Sequence, residues 1–263
     1  MADIFFLSGL PRSGSTLLGS LMGQNPDFTA TPTSPFLDLL CFTNQAFNAI
    51  DQKYTYDKEV ITDNVYRGIV TSFYSHIKTK YILDKHRGHP KNIVPIKKFI
   101  NPNPKVLCSV RPIAEIICSY IQLIEKNKQS DNFIDNTLKS RNTPINTTNR
   151  AKCLWDEYIQ DPYKSMTYGL KNHKENLFVV DYDRLVNKPE KTLMEIYKFL
   201  EIEPYKNHSF DNIENHCAEE KDAAWGLENL HNIRPKLEKV SRNPREILGS
   251  FLVDYYNKFN LVF

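Results

Sequence analysis

The first place where groups able to do chemistry gather is the octapeptide Gly9-Leu10-Pro11-Arg12-Ser13-Gly14-Ser15-Thr16. It follows a short apolar run, Asp3 to Ser8 (DIFFLS), that reads as a strand. It precedes an amphipathic stretch that reads as a helix from about Ser15 to Gln24, stopped by Asn25-Pro26-Asp27. In such a strand–turn–helix unit, backbone N–H groups and the positive end of the helix converge on one point. That point is an anion site. Gly9 and Gly14 lie five apart, as in the phosphate loops of nucleotide-binding proteins. The pattern G-x-x-x-x-G-K-[ST], however, places Lys where this chain has Ser15, and here the cation comes earlier, at Arg12. A small-metabolite kinase with Mg-dependent ATP binding is one expectation from such a loop, and the missing Lys argues against it.

The stretch Pro11-Arg12-Ser13-Gly14-Ser15-Thr16 after the first strand resembles the 5′-phosphosulfate loop of sulfotransferases, which use 3′-phosphoadenosine 5′-phosphosulfate (PAPS) as sulfuryl donor. The resemblance implies that residues 11–16 hold the 5′-phosphosulfate, with Arg12 at the transferring group. PAPS carries a 3′-phosphate that ATP lacks, so a second anion pocket is expected. The family supplies it with an Arg at a strand end and a Ser eight residues later. This chain has that pair as Arg111 and Ser119 in VRPIAEIICSY. Positions 112 and 119 are seven apart and share a helix face, and the planar fork of Arg donates twice to one phosphate.

Three further assignments come from the same resemblance. Lys85, in LDKHRG, matches a Lys that contacts the transferring group. Tyr182, in VDYDRLV, matches an aromatic that lies against adenine. Arg234 and Lys236, in RPKLEK, either fold back onto the 3′-phosphate or form a solvated basic stretch. The general base is where the pattern departs. The protein-tyrosine branch places a Glu about twenty residues beyond the loop Arg, but here that stretch is Thr29 to Pro35, without a carboxylate. Asp38, one helical turn on, and His86, beside Lys85, are the two candidates, and a third option is an acceptor that needs little help. The resemblance covers 3–27, 80–125 and 176–204, and its pattern is nearest the bacterial and protein-tyrosine branch. A catalytically inactive nucleotide-binding relative is the remaining alternative.

The elements that must position these residues alternate strand and helix. This predicts an α/β protein with a P-loop-type parallel sheet flanked by helices on both faces, the three-layer sandwich of sulfotransferases. Further strands are expected at 80–83, 105–110 and 177–180. Helices are expected at 36–50, 58–78, 90–100, from Pro112 onward, 147–171 with a bend at Pro162, 189–200 and 244–258. The polar stretch 126–146 reads as a mobile surface loop. No linker divides the chain, which predicts a single domain over 1–263. Acceptor contacts are expected from 28–79 and 126–175. There the aromatic residues Phe36, Phe42, Trp155 and Tyr158, with Trp225 further on, are candidates for a channel, although core packing is the commoner fate of such residues.

Composition excludes other classes. Of 263 residues, 41% are hydrophobic and 25% charged, as in a folded globular chain. No window approaches the roughly 18 apolar residues of a membrane span, and the N-terminal residues lack a basic signal region. A net charge of +3 is too small to argue for nucleic acid. Cys41, Cys108, Cys118, Cys153 and Cys217 are scattered and never paired as C-x-x-C, which predicts reduced thiols in the cytoplasm. No cluster at metal-ligand spacing appears, so no metal is expected. The expected partners are PAPS or adenosine 3′,5′-bisphosphate and an acceptor hydroxyl or amine on a small molecule, glycan or peptide.

Overall fold

The computed structural model describes residues 2–49, 57–127, 131–215, 222–238 and 243–263. In chain order the elements are β1 (Asp3–Gly9), α1 (Ser15–Gly23), β2 (Phe28–Thr33), α2 (Phe36–Ala49), α3 (Lys58–Phe73), β3 (Tyr81–Lys85) and, after a 3-10 turn at His89–Asn92, α4 (Ile93–Phe99). They continue as β4 (Val106–Val110), α5 (Ile113–Lys126), α6 (Phe133–Ser140), α7 (Thr147–Leu154), α8 (Gln160–Asn172), β5 (Leu177–Asp181), α9 (Tyr182–Asn187), α10 (Pro189–Leu200) and α11 (Pro244–Asn257).

The five strands form one parallel sheet in the order β2-β3-β1-β4-β5. β1 lies in the middle because both of its faces are apolar. Phe5 and Leu7 point to one side, where Leu18, Leu21, Leu193 and Ile196 of α1 and α10 cover them. Ile4 and Phe6 point to the other, against Phe36, Tyr66, Ile93 and Met166. β3 and β4 are buried along their whole length, as a strand covered on both faces must be. A third apolar cluster joins α5, α6, α7 and α11. β1 has β3 on one side and β4 on the other. The chain therefore leaves it toward opposite edges, and the crevice at the carboxyl ends of β1 and β4 is where an open α/β sheet takes its ligand.

The expected parallel sheet and its four expected strands are present, and three departures have physical causes. β2 is an unforeseen fifth strand. It lies at the sheet edge and carries Pro32, and its pairing with β3 shifts register between Ala30 and Thr33; a residue without an N–H is tolerated there and not in a central strand. The stretch 126–146 contains α6. Asn132 caps it by accepting from the Asp135 N–H at 2.9 Å, and Arg150 grips the Asp135 carboxylate at 2.8 and 2.7 Å; residues 128–130 lie outside the described ones. The long helix expected at 147–171 is broken into α7 and α8 by a wide π turn at Trp155–Ile159, so the irregularity falls just ahead of Pro162, which has no N–H to give the helical ladder. Cys41, Cys108, Cys118 and Cys153 are free thiols, and Cys217 lies outside the described residues.

Candidate active site

The loop after β1 is shaped by what its neighbours leave room for. A Cβ on Gly9 would sit 2.0 Å from Ser109 Oγ, so only glycine lets β1 end this close to β4. Arg12 and Gly14 both adopt the left-handed region, at φ 55° and 89°, which turns the chain sharply into α1. Ser13 is buried and faces inward. Its hydroxyl lies 2.9 Å from the Ser109 carbonyl oxygen and 2.8 Å from Ser109 Oγ. Ser13 and the buried Pro11 therefore brace the loop and do not line the cleft, whereas Arg12, Gly14, Ser15 and Thr16 do. No acidic residue occupies the first turn of α1 and no side chain caps it, so its positive end faces the cleft.

The cleft measures about 240 Å3. Arg12 reaches across it from the loop to α5, donating Nε–H to Ser119 Oγ at 3.3 Å and a terminal N–H to the Leu230 carbonyl. Burial lowers the Arg12 pKa from its ordinary value, Arg111 adds to the shift, and Tyr120, Tyr182 and Asp222 oppose it. Among the described residues no carboxylate forms an ion pair with this guanidinium, whose hydrogen bonds go to neutral oxygens. Arg111, at the end of β4, is buried. Its Nε donates to Glu115 at 3.0 Å, and the guanidinium lies 4.6 Å from the Tyr182 ring centre. The same ring presses on the loop, because a Cβ on Gly14 would come within 2.7 Å of it. Arg234 and Lys236 also line the cleft, with Glu238 2.7 Å from Arg234 and Asp211 4.0 Å from Lys236.

The end of β3 supplies the other wall. Lys85 is buried in the sheet and donates from Nζ to Thr16 Oγ1 at 3.2 Å, which brings the cation to the start of α1. Beneath it Asp84 is wholly buried. Burial works against its charge, but His89 at 2.9 Å, with Tyr74 and Ser34, holds the carboxyl below its usual pKa. His86 faces away, into a second groove. Its Nδ1 accepts the Gly88 N–H at 3.0 Å, so Nε2 carries the proton and donates to Asp38 Oδ1 at 3.3 Å. Burial, then the neighbouring His89, lower the His86 pKa against Asp38 and Asp84.

The sulfotransferase family model matches residues 4–207 of the chain. The chain belongs to that family. It is 22% identical over 203 residues to protein-tyrosine sulfotransferase 1 of Danio rerio, covering 76% of this chain and 53% of that protein. It is 23% identical over 211 residues to a putative protein-tyrosine sulfotransferase of Caenorhabditis briggsae, covering 76% and 66%. The chain thus spans between half and two thirds of the length of these relatives. Over 51 residues it is 47% identical to nodulation protein NoeE of Sinorhizobium fredii, covering 19% of this chain and 11% of that one. In fold it matches a sulfotransferase domain from the curacin biosynthetic pathway, with a TM-score of 0.52 at 18% identity over all of this chain and 92% of that one. It also matches one from the Synechococcus PCC 7002 olefin synthase, at 0.51 and 15%, over all of this chain and 96% of that one.

Within this sulfotransferase-family chain, one cleft gathers Arg12, Gly14, Ser15, Thr16, Lys85, Arg111, Ser119, Tyr182, Arg234 and Lys236, residues expected from distant segments. Asp38 and His86 are brought to each other but lie in the second groove. Sequence reasoning gave no role to Arg87, which lines both cavities, or to His231 and Asn232, which cover the cleft. Arg87 was legible as a second cation two residues beyond Lys85. Nothing in the spacing pointed to the segment around 231. Of the candidate channel aromatics, Phe42 and Tyr158 line the second groove, Phe36 and Trp155 are core, and Trp225 stacks edge-on against Phe133.

Proposed function

We propose that the chain transfers a sulfuryl group from PAPS to a hydroxyl or amine acceptor. The observation that carries this reading is the convergence of Arg12, Lys85, Arg111 and Ser119, from three separate strand ends, on one cleft beside an uncapped helix N-terminus. The donor's chemistry fits these residues, because its two anionic ends call for two sets of donors. The positive end of α1, Arg12 and Lys85 suit the 5′-phosphosulfate; Arg111 and Ser119 suit the 3′-phosphate, with Arg234 and Lys236 nearby. Tyr182, packed on Gly14 and Arg111, offers an aromatic edge to the adenine between them. PAPS supplies the sulfuryl group when bound. The acceptor oxygen or nitrogen bonds sulfur as the S–O bond to the 5′-phosphate breaks, and charge gathers where Arg12 and Lys85 stand.

The two base candidates act as one unit in this reading. With both nitrogens of His86 engaged, the imidazole orients Asp38, and the half-exposed carboxylate takes the acceptor proton. The relatives' names put a phenolic hydroxyl within the acceptor class. The four free thiols support a reducing, cytoplasmic setting, and among the described residues no helix is long and apolar enough to cross a membrane. A single catalytic domain with no metal is part of the same proposal. Titrating adenosine 3′,5′-bisphosphate should raise the melting temperature by mass action. No rise at millimolar concentration removes the reading, and a Mg-dependent rise with ATP alone favours the kinase. Tight nucleotide binding without transfer from labelled PAPS to any acceptor pool favours the inactive relative.

A further inference from the structure

One residue before Lys85, the layer behind the sheet holds a polar network inside an otherwise apolar core. Asp84 and His89 are wholly buried, and Tyr74 and Ser34 nearly so. The rings of Phe6, Phe36 and Phe73 lie against them. The hydrogen bonds run in one direction. The Phe36 N–H donates to Ser34 Oγ at 3.1 Å, Ser34 Oγ lies 3.0 Å from the Tyr74 hydroxyl, and Tyr74 donates to Asp84 Oδ1. A carboxylate only accepts, so the Tyr74 proton points at Asp84 and the Ser34 proton at Tyr74. Burial, then Asp84, push the Tyr74 phenol up, so it stays a donor. His89 Nε2 reaches Asp84 Oδ2 from the other side at 2.9 Å. The start of α2, the end of α3, β3 and the turn at His89–Asn92 thereby meet on one carboxylate.

A buried charge in such a layer is destabilising unless every partner is in place, and apolar side chains of the same volume would fill the space as well. The network sits, however, where a site residue has to be held. The Lys85 backbone N–H donates to Thr31 Oγ1 at 2.9 Å, and its carbonyl accepts the Ser34 N–H at 2.8 Å. Ser34 is thus bonded to Lys85 through its backbone and to Asp84 through Tyr74. We propose that Asp84 is a positioning residue for the donor: with Tyr74 and Ser34 it fixes the end of β3 so that the Lys85 ammonium meets the 5′-phosphosulfate. The inference rests on the sulfuryl-transfer reading. Asp84 and Lys85 are consecutive on a strand and point to opposite faces of the sheet, Lys85 to Thr16 of α1 and Asp84 to Tyr74. The carboxylate therefore acts on the ammonium through the strand and not by pairing with it. Hydrogen bonds in a chain polarise one another and hold one geometry, and a small displacement of a group that must meet a reacting centre is felt there.

The test compares adenosine 3′,5′-bisphosphate with adenosine 3′-phosphate, which lacks the 5′ group, by calorimetry on the full chain. Asp84→Asn changes the hub itself. Tyr74→Phe is the milder variant, because it keeps the carboxylate and the ring packing and deletes one hydroxyl. Tyr74→Phe is expected to weaken the bisphosphate about 3- to 10-fold, the size of one hydrogen bond, and the monophosphate by less than about twofold. A folded Asp84→Asn chain should show the same selective loss. In a Lys85→Met background, Tyr74→Phe should weaken the bisphosphate no further, because two changes acting through one group do not add. Equal losses for the two nucleotides, no loss in Tyr74→Phe, or losses that multiply in the double variant overturn the proposal. So does a Tyr74→Phe chain that fails to fold, since the network is then an element of stability alone. These outcomes leave the donor reading standing. A wild-type chain that binds the bisphosphate no better than the monophosphate removes the 5′ half of the donor reading, and this inference with it.

Discussion

Two cavities share the carboxyl edge of one sheet and have opposite characters. The cleft beyond β1 and β4 is lined by seven cationic side chains and one carboxylate. The groove beyond β2 and β3 has three carboxylates, two cations and an apolar wall. In the first, Arg111, Arg234 and Lys236 have carboxylate partners, whereas Arg12 forms no ion pair among the described residues. The second closes its charges on itself through Asp161, Glu157 and His86. On the proposed reading, the difference separates two tasks that a group-transfer enzyme must keep apart, holding a polyanion and admitting a partner that does not compete for the same site.

The comparison breaks most sharply at Asp38. Asp38→Asn should lower kcat by about 100-fold or more, in the range of lost general-base catalysis, while calorimetry finds adenosine 3′,5′-bisphosphate binding unchanged. A matching loss of nucleotide affinity would place Asp38 in the wrong cavity. Arg111→Ala should do the reverse. It should weaken adenosine 3′,5′-bisphosphate by about 10- to 100-fold, the worth of a charged hydrogen bond, and adenosine 5′-phosphate far less. Equal losses for the two nucleotides would contradict the 3′-phosphate assignment.

Gly14→Ala sharpens the same contrast through the backbone. At φ 89° and with the Tyr182 ring 2.7 Å from the added carbon, it should cost about 1–3 kcal/mol of stability and weaken nucleotide binding. Denaturant unfolding measures the first. The smallest effect belongs to neither cavity. His208, hydrogen-bonded to Tyr197 and beside Gln24, is held by burial at a pKa of about 4 against 6.5 when unfolded. Because the unfolded chain binds that proton first, stability is full above pH 6.5 and falls as pH drops toward 4, by about 1–3 kcal/mol. Melting curves of His208→Gln should show a shallower acid decline. Activity losses in that window therefore need to be separated from losses of the fold.

Much of the cleft was legible because its motifs are local. A strand, two glycines and an early Arg follow one another within residues 3–14, and Arg111 and Ser119 are fixed relative to each other by one helix face. The edge strand β2 was not legible, because its Pro32 reads against a strand when the edge position is unknown. α6 was hidden by polarity; only the pairing of Asp135 with Arg150 shows why so polar a segment is ordered. The meeting of Asp38 with His86 joins residues 48 apart in sequence through tertiary packing alone. The covering of the cleft by Leu230 and His231 likewise has no periodic signature.

The inward turn of Ser13 onto Ser109 has a mechanical result. It rivets the first loop to the strand that ends in Arg111, so the two segments that the proposed reading gives to the two ends of the donor cannot slide independently. On that reading such a fixed caliper gauges length as well as charge: a dianion of different span should fit one jaw only and forfeit the other.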